Sequence, residues 1–255
     1  MNPDLKKTLA DKLLALADDE IILGHRDSEW TGHAPILEED IAFANIALDE
    51  LGHAKIWYTL LAELVGESLD TFPDRLIFFR DAEEYRNVQL VELPKGDWAF
   101  SMLRQYLFDA AELVRLEHTA QSRYQPLAEA AAKIRKEEIY HERHTRAWVR
   151  RLGLGTEESH RRMQNALDQL WPYAPQLFEP LPGESLLADA GFIPAADALR
   201  AGWEDKVLPC LQEAGLTPLT GRAATIAGRD QHTPHLSALL AEMQQVARLV
   251  PDAQW

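Results

Sequence analysis

In the segment "LDELGHAK" (residues 48–55) Glu50 and His53 stand three positions apart, and the spacing recurs in "EEIYHE" at Glu138 and His141. Residues three apart on a helix share a face, so each pair can offer one carboxylate and one imidazole to the same metal ion. A carboxylate can bridge two ions, and imidazole is a neutral donor suited to iron. The spacing alone is weak evidence. With 23 glutamates and nine histidines, composition predicts roughly one Glu-x-x-His by chance. A third pair, Glu157/His160, opens a helix after a glycine-containing loop, where acids are favoured by the helix dipole, and it serves as the solvated reference. The first two pairs differ from it because each has an acid at a matching distance upstream. Glu20 lies 30 residues before Glu50, with the break "TGHAP" (31–35) at the midpoint. Asp109 lies 29 residues before Glu138, with a break at 124–126. In an antiparallel hairpin, each acid therefore stands level with its Glu-x-x-His. Glu112, one turn beyond Asp109, competes with it, because height does not separate residues one turn apart.

The elements that must hold these residues are helices. Apolar residues recur at helical spacing through most of the first 172 positions, as in Leu9, Leu13, Leu16, Ala17 and Ile21, or Ile41, Ala44, Leu48, Leu51 and Ile56. The pattern predicts helices near 4–26, 36–65, 98–123, 126–151 and 156–171. Pro35 and Pro126 sit where a helix starts, the position that tolerates proline best. The connection bounded by Pro73 and Pro94 is long enough for a crossover with short helical turns. After Trp171 the chain changes character, since nine of the fourteen prolines fall there; two further helices are expected, near 195–208 and 235–249. The expected organisation is a helical bundle over 1–172 with a C-terminal helical extension over 173–255 packed on it. Four helices that each bring a carboxylate or a Glu-x-x-His to one level carry the ligand inventory of ferritin-like di-iron or di-manganese bundles. The predicted metal ligands are Glu20, Glu50, His53, Asp109, Glu138 and His141, with Glu112 as the alternative to Asp109.

Glu20, Glu50 and Glu138 each have an acidic neighbour (Asp19, Asp49, Glu137), as solvated acids do, and a lone His53 reads as a satisfied core histidine. His25, His33, His118 and His144 are assigned to solvent or loops, with His144 one turn from His141 as a second donor near the site. His232 and His235 have ligand-like spacing but no acidic company, so they read as loop residues. Arg115 and Arg135 are the cations nearest the acids of the third and fourth long helices. Trp30, Trp57 and Trp148 read as core or interface.

Composition sets the remaining bounds. A net charge of −15 opposes binding to nucleic acid or an anionic membrane surface, and no run reaches the ~18 apolar residues of a membrane span. The single cysteine, Cys210, excludes an internal disulfide and a four-cysteine electron-transfer centre of the chain's own. It fits a reducing, cytoplasmic setting.

The chain resembles a family, the ferritin-like subunits of bacterial phenylacetyl-CoA epoxidase, a multicomponent monooxygenase of aerobic phenylacetate breakdown. The stretches that carry the likeness are "EWTGHAPILEEDIAFANIALDELGHAKIW", "RQYLFDA" and "LLAEMQQVARLVPDAQW", and the last is similar to the ending of the family's C-type subunits. The resemblance implies a structural partner of a catalytic A-type subunit, in an assembly that inserts one atom of O₂ into the ring of phenylacetyl-CoA. It also implies electrons from NADPH through a separate reductase component, and it favours Asp109 over Glu112. The ligand set departs from the expectation of an inert scaffold, because all six positions match the catalytic pattern. The alternative reading is therefore a di-iron oxidoreductase in its own right, an oxygenase or a ferritin- or rubrerythrin-like oxidase.

Overall fold

The computed structural model describes residues 1–219 and 226–251, and all regular structure among them is helical. In chain order the helices are α1 (Pro3–Ser28), α2 (Leu37–Val65), α3 (Phe72–Phe78), α4 (Gln89–Glu92), α5 (Trp98–Thr119), α6 (Gln125–Gly153), α7 (Glu157–Leu170), α8 (Ser185–Asp189), α9 (Ala196–Glu213), α10 (Pro234–Met243) and α11 (Gln245–Leu249). Two 3₁₀ segments cover 82–84 and 171–178. The expected all-α, ferritin-like class is thus what the chain forms, with its long helices where the apolar period puts them. The last four residues of the quoted C-terminal stretch lie outside the described residues.

The chain divides into two compact units, one made of 1–94 with 227–255 and the other of 95–226. In the first unit α1 packs along α2. Asn2 caps α1 by accepting the Asp4 N–H at 3.0 Å, and Pro3 occupies its first turn. Gly66, in the left-handed region at φ 85°, ends α2, as glycine at that position commonly does. The connection from 66 to 94 holds α3, α4 and a 3₁₀ turn, the short helical turns expected there. In the second unit α5 packs along α6. Asp97 caps α5 through the Phe100 N–H at 3.0 Å, and α5 is buried almost all round, the mark of a central helix.

The buried face of α6 reads Leu127, Ala131, Ile134, Glu138, His141, Thr145, Trp148. The steps alternate four and three, so one stripe carries both apolar residues and the candidate ligands to the core. Trp57 and Trp148 are both buried, which places them in the core and not at an interface. Trp148 meets Trp98 edge to face at 5.7 Å, and Trp203 donates its indole N–H to the Leu107 carbonyl at 2.9 Å. No helix among the described residues is long and apolar enough to cross a membrane.

Candidate metal centre

In the first unit Glu20 on α1 and Glu50 and His53 on α2 come together. Each offers a ligand atom within 4.8 Å of the others. Nδ1 of His53 lies 3.9 Å from Oε2 of Glu20 and 3.6 Å from Oε2 of Glu50. All three side chains are buried, unlike ordinary acids beside acidic neighbours. Gly24, one turn beyond Glu20, explains how the helices meet here. A Cβ at Gly24 would lie 3.0 Å from the Cβ of Glu50 and 3.1 Å from the Ala47 carbonyl oxygen, so a side chain here would press on α2, and glycine lets α1 approach α2 at this level without that crowding.

Two carboxylates and an imidazole removed from water are costly to hold together without a cation or protons. The donor set fits a divalent or trivalent ion with oxygen and nitrogen preferences. These residues can therefore hold a metal, and in doing so would balance their own charge.

In the second unit Glu138 and His141 are buried on one face of α6, with Nδ1 of His141 3.2 Å from Oε2 of Glu138. Asp109 of α5 is fully buried but held by its neighbours. Its Oδ1 accepts from Nε2 of Gln105 at 2.8 Å, and its Oδ2 lies 2.7 Å from the Thr145 hydroxyl. That hydroxyl also sits 2.9 Å from the His141 carbonyl oxygen, which ties Asp109 to the turn that carries the histidine. Glu112 is buried in an ion pair with Arg115, and Arg135 pairs with Glu117 at 3.4 Å. Among the described residues neither Asp109 nor Glu112 joins a group of three such ligand atoms.

The reference pair behaves as a solvated helix start. Glu157 is exposed, Thr156 caps α7 through the Ser159 N–H, and Nδ1 of His160 lies 2.7 Å from the Gly153 carbonyl oxygen. His33, His118 and His235 are exposed. His25 is partly buried, and that burial lowers its pKa. His232 lies in a loop, as expected, whereas His235 stands in the first turn of α10; the expectation that fails is that His232 has no acidic company. Its Nδ1 lies 2.9 Å from Oε2 of buried Glu92 and its Nε2 lies 3.0 Å from the Tyr85 carbonyl oxygen, so it has the acidic company its sequence neighbours lack. The partner is 140 positions away, which is why spacing could not show it.

His232 belongs to a buried polar network that sequence reading missed. Asp18 accepts from the Tyr58 hydroxyl at 2.6 Å and pairs with Arg80, whose guanidinium lies 4.1 Å over the Tyr85 ring. Burial and the neighbouring Asp18 carboxylate hold the Tyr58 hydroxyl well above its usual pKa. Asp19 pairs with Arg229 at 2.8 Å and accepts the Val88 N–H at 2.7 Å. Asp18 and Asp19, beside Glu20 in sequence, thus commit their charge to fixing the 66–94 connection and the C-terminal segment, leaving Glu20 to face α2.

The family described as "Phenylacetic acid catabolic protein" matches residues 1–255. The chain is 40% identical over 243 residues to the C-type subunit of 1,2-phenylacetyl-CoA epoxidase from Escherichia coli (strain K12), an alignment that covers 95% of this chain and 97% of that protein. It is 26% identical over 175 residues to the A-type subunit of the same epoxidase, covering 69% of this chain and 55% of that protein. With a match over its full length and a relative of this identity, the chain belongs to the phenylacetic acid catabolic protein family.

Proposed function

We propose that this chain is the C-type subunit of a phenylacetyl-CoA epoxidase, a cytoplasmic structural partner of a catalytic A-type subunit. The observation that carries the reading is the 40% identity to the Escherichia coli C-type subunit across nearly the whole of both proteins. The assembly would epoxidise the ring of phenylacetyl-CoA, with electrons from NADPH delivered by a separate reductase component. In this division of labour the chain's own task is to hold the catalytic subunit in place.

The proposed metal ligands are Glu20, Glu50 and His53 on one hairpin and Asp109, Glu138 and His141 on the other, with Glu112 as the alternative to Asp109. A bound iron pair would supply O₂ activation, and manganese is the other metal the donors suit. The chain's part is to keep the donors buried and oriented. Gly24 admits Glu50 to the level of Glu20, and Thr145 and Gln105 fix Asp109.

The convergence of Glu20, Glu50 and His53 also favours a second reading, a di-iron oxidoreductase in its own right. The two readings differ in reconstituted enzyme. As a structural subunit, His53→Ala and Glu138→Ala chains should assemble normally and lower turnover only slightly. A loss beyond about 10²-fold, roughly 2.7 kcal/mol of barrier, with assembly unchanged, would move the chemistry to this chain.

A further inference from the structure

Helix α2 carries two apolar stripes. One is buried and runs through Phe43, Ile46, Glu50, His53, Trp57 and Leu60. The other runs through Leu37, Ile41, Ala44, Leu48, Leu51 and Lys55 and points outward. Its members are separated by steps of four, three, four, three and four, the a/d spacing of a coiled-coil seam. Leu37 is 72% exposed, Ile41 57%, Leu48 65% and Leu51 37%. Single exposed aliphatics are ordinary, whereas a contiguous row of them marks a surface meant to be covered.

We propose that this outward seam of α2 is the docking surface for a long helix of the A-type subunit. The inference rests on the subunit reading above and adds the place of contact. Three observations select the occupant. The four-and-three spacing fits the ridges of another helix packed lengthwise, from Leu37 to Lys55 or about 27 Å of axis. Gly52 lies beside Leu48 and Leu51 on the exposed side, and nothing within 4 Å would meet a Cβ there, so a partner backbone can come close. The chain is also similar to the A-type subunit in its own sequence, so an A-type partner brings a related set of long helices that can lie along the seam. A membrane is the poorer occupant, since Glu38 and Asp49 flank the seam on a chain of net charge −15 and an anionic lipid surface would repel them. Lys55 at one end of the seam is the kind of polar core residue that sets register.

The test is titration of the full-length chain with its cognate A-type subunit, read by analytical ultracentrifugation. The Ile41→Glu/Leu48→Glu double variant should keep the wild-type circular dichroism and Tm, because both side chains are exposed, and should bind at least ~100-fold more weakly. Gly52→Leu, which adds bulk to open space in the lone chain, should weaken binding in the same direction and decides the matter if the double variant fails to fold. Leu249→Glu, equally exposed on α11, should bind as wild type does. Wild-type affinity in the seam variants would overturn the seam while leaving the subunit reading intact, as would loss of self-association in place of A-type binding. A wild-type chain that never binds the A-type subunit would overturn both.

Discussion

Asp109 and Glu112 are one helical turn apart, both buried and both acidic, yet their surroundings differ. Glu112 is committed to Arg115, whereas Asp109 is oriented by Gln105 and Thr145, neutral donors of the kind that position a ligand without cancelling its charge. Asp109→Ala should therefore reduce bound iron or manganese, measured by elemental analysis of the purified chain, more than Glu112→Ala. Equal metal in the Asp109 variant and wild type would assign the wrong turn of α5. The candidate ligands were legible in the sequence because helical spacing and matched hairpin arms are local properties. Thr145 could have been noticed as His141 plus four, on the same stripe, but its hydroxyl reaches across to another helix, which spacing does not encode. His232 was illegible for the stronger reason that its acid, Glu92, is distant in the chain. Burial works against its proton, but the Glu92 hydrogen bond and charge and the Tyr85 carbonyl outweigh it and raise the pKa. The folded state thus holds this proton more tightly than the unfolded chain. The resulting stability is fully present below about pH 6.5 and is lost as pH rises through the folded value. Wild type should lose more Tm than His232→Gln between pH 6 and 8.5, and parallel profiles would remove His232 from the stability balance.

At the scale of elements, the close approach of α1 and α2 depends on Gly24. Leucine there would have to displace the Ala47 carbonyl or the Glu50 side chain, an overpacking cost of about 1–3 kcal/mol. Gly24→Leu should lower Tm and weaken metal retention together, whereas a variant with wild-type Tm would show that the helices can slide apart freely. The long helices were legible because α1, α2, α5 and α6 keep a 3.6-residue apolar period over many turns. The mirror case is α2, where an apolar residue appears on nearly every side and the period alone does not say which stripe is the core. Only burial separates the Phe43–Trp57 face from the Leu37–Leu51 face. The short helices α3, α4 and α8 have too few turns to show a period, and tertiary packing decides them.

For the whole molecule, the polar network does what the apolar pattern does not. Arg229 reaches Asp19 across 210 positions, with both side chains almost wholly buried, and Gln244 donates to the Ile77 and Arg80 carbonyls at 2.9 Å. Removing one member of such a pair leaves a buried charge, which costs about 3–5 kcal/mol. Arg229→Ala should lower the stability measured by urea unfolding by that order, and a change under about 1 kcal/mol would show that Asp19 is served by the Val88 N–H alone. None of this was legible in the sequence, because ion pairs formed between distant segments leave no periodic trace.

The first unit is also discontinuous, since its residues 1–94 are completed by 227–255 while 95–226 make up the second. On the ribosome the amino-terminal hairpin therefore emerges first and is finished last. Asp19 must wait through the synthesis of the entire second unit before Arg229 exists. During that interval the nascent chain carries an unsealed apolar surface, the state in which aggregation competes with folding. A codon-slowed or truncated message that stops before residue 227 should thus yield a second unit able to form and a first unit that draws chaperones, a vulnerability that a continuous domain order would avoid.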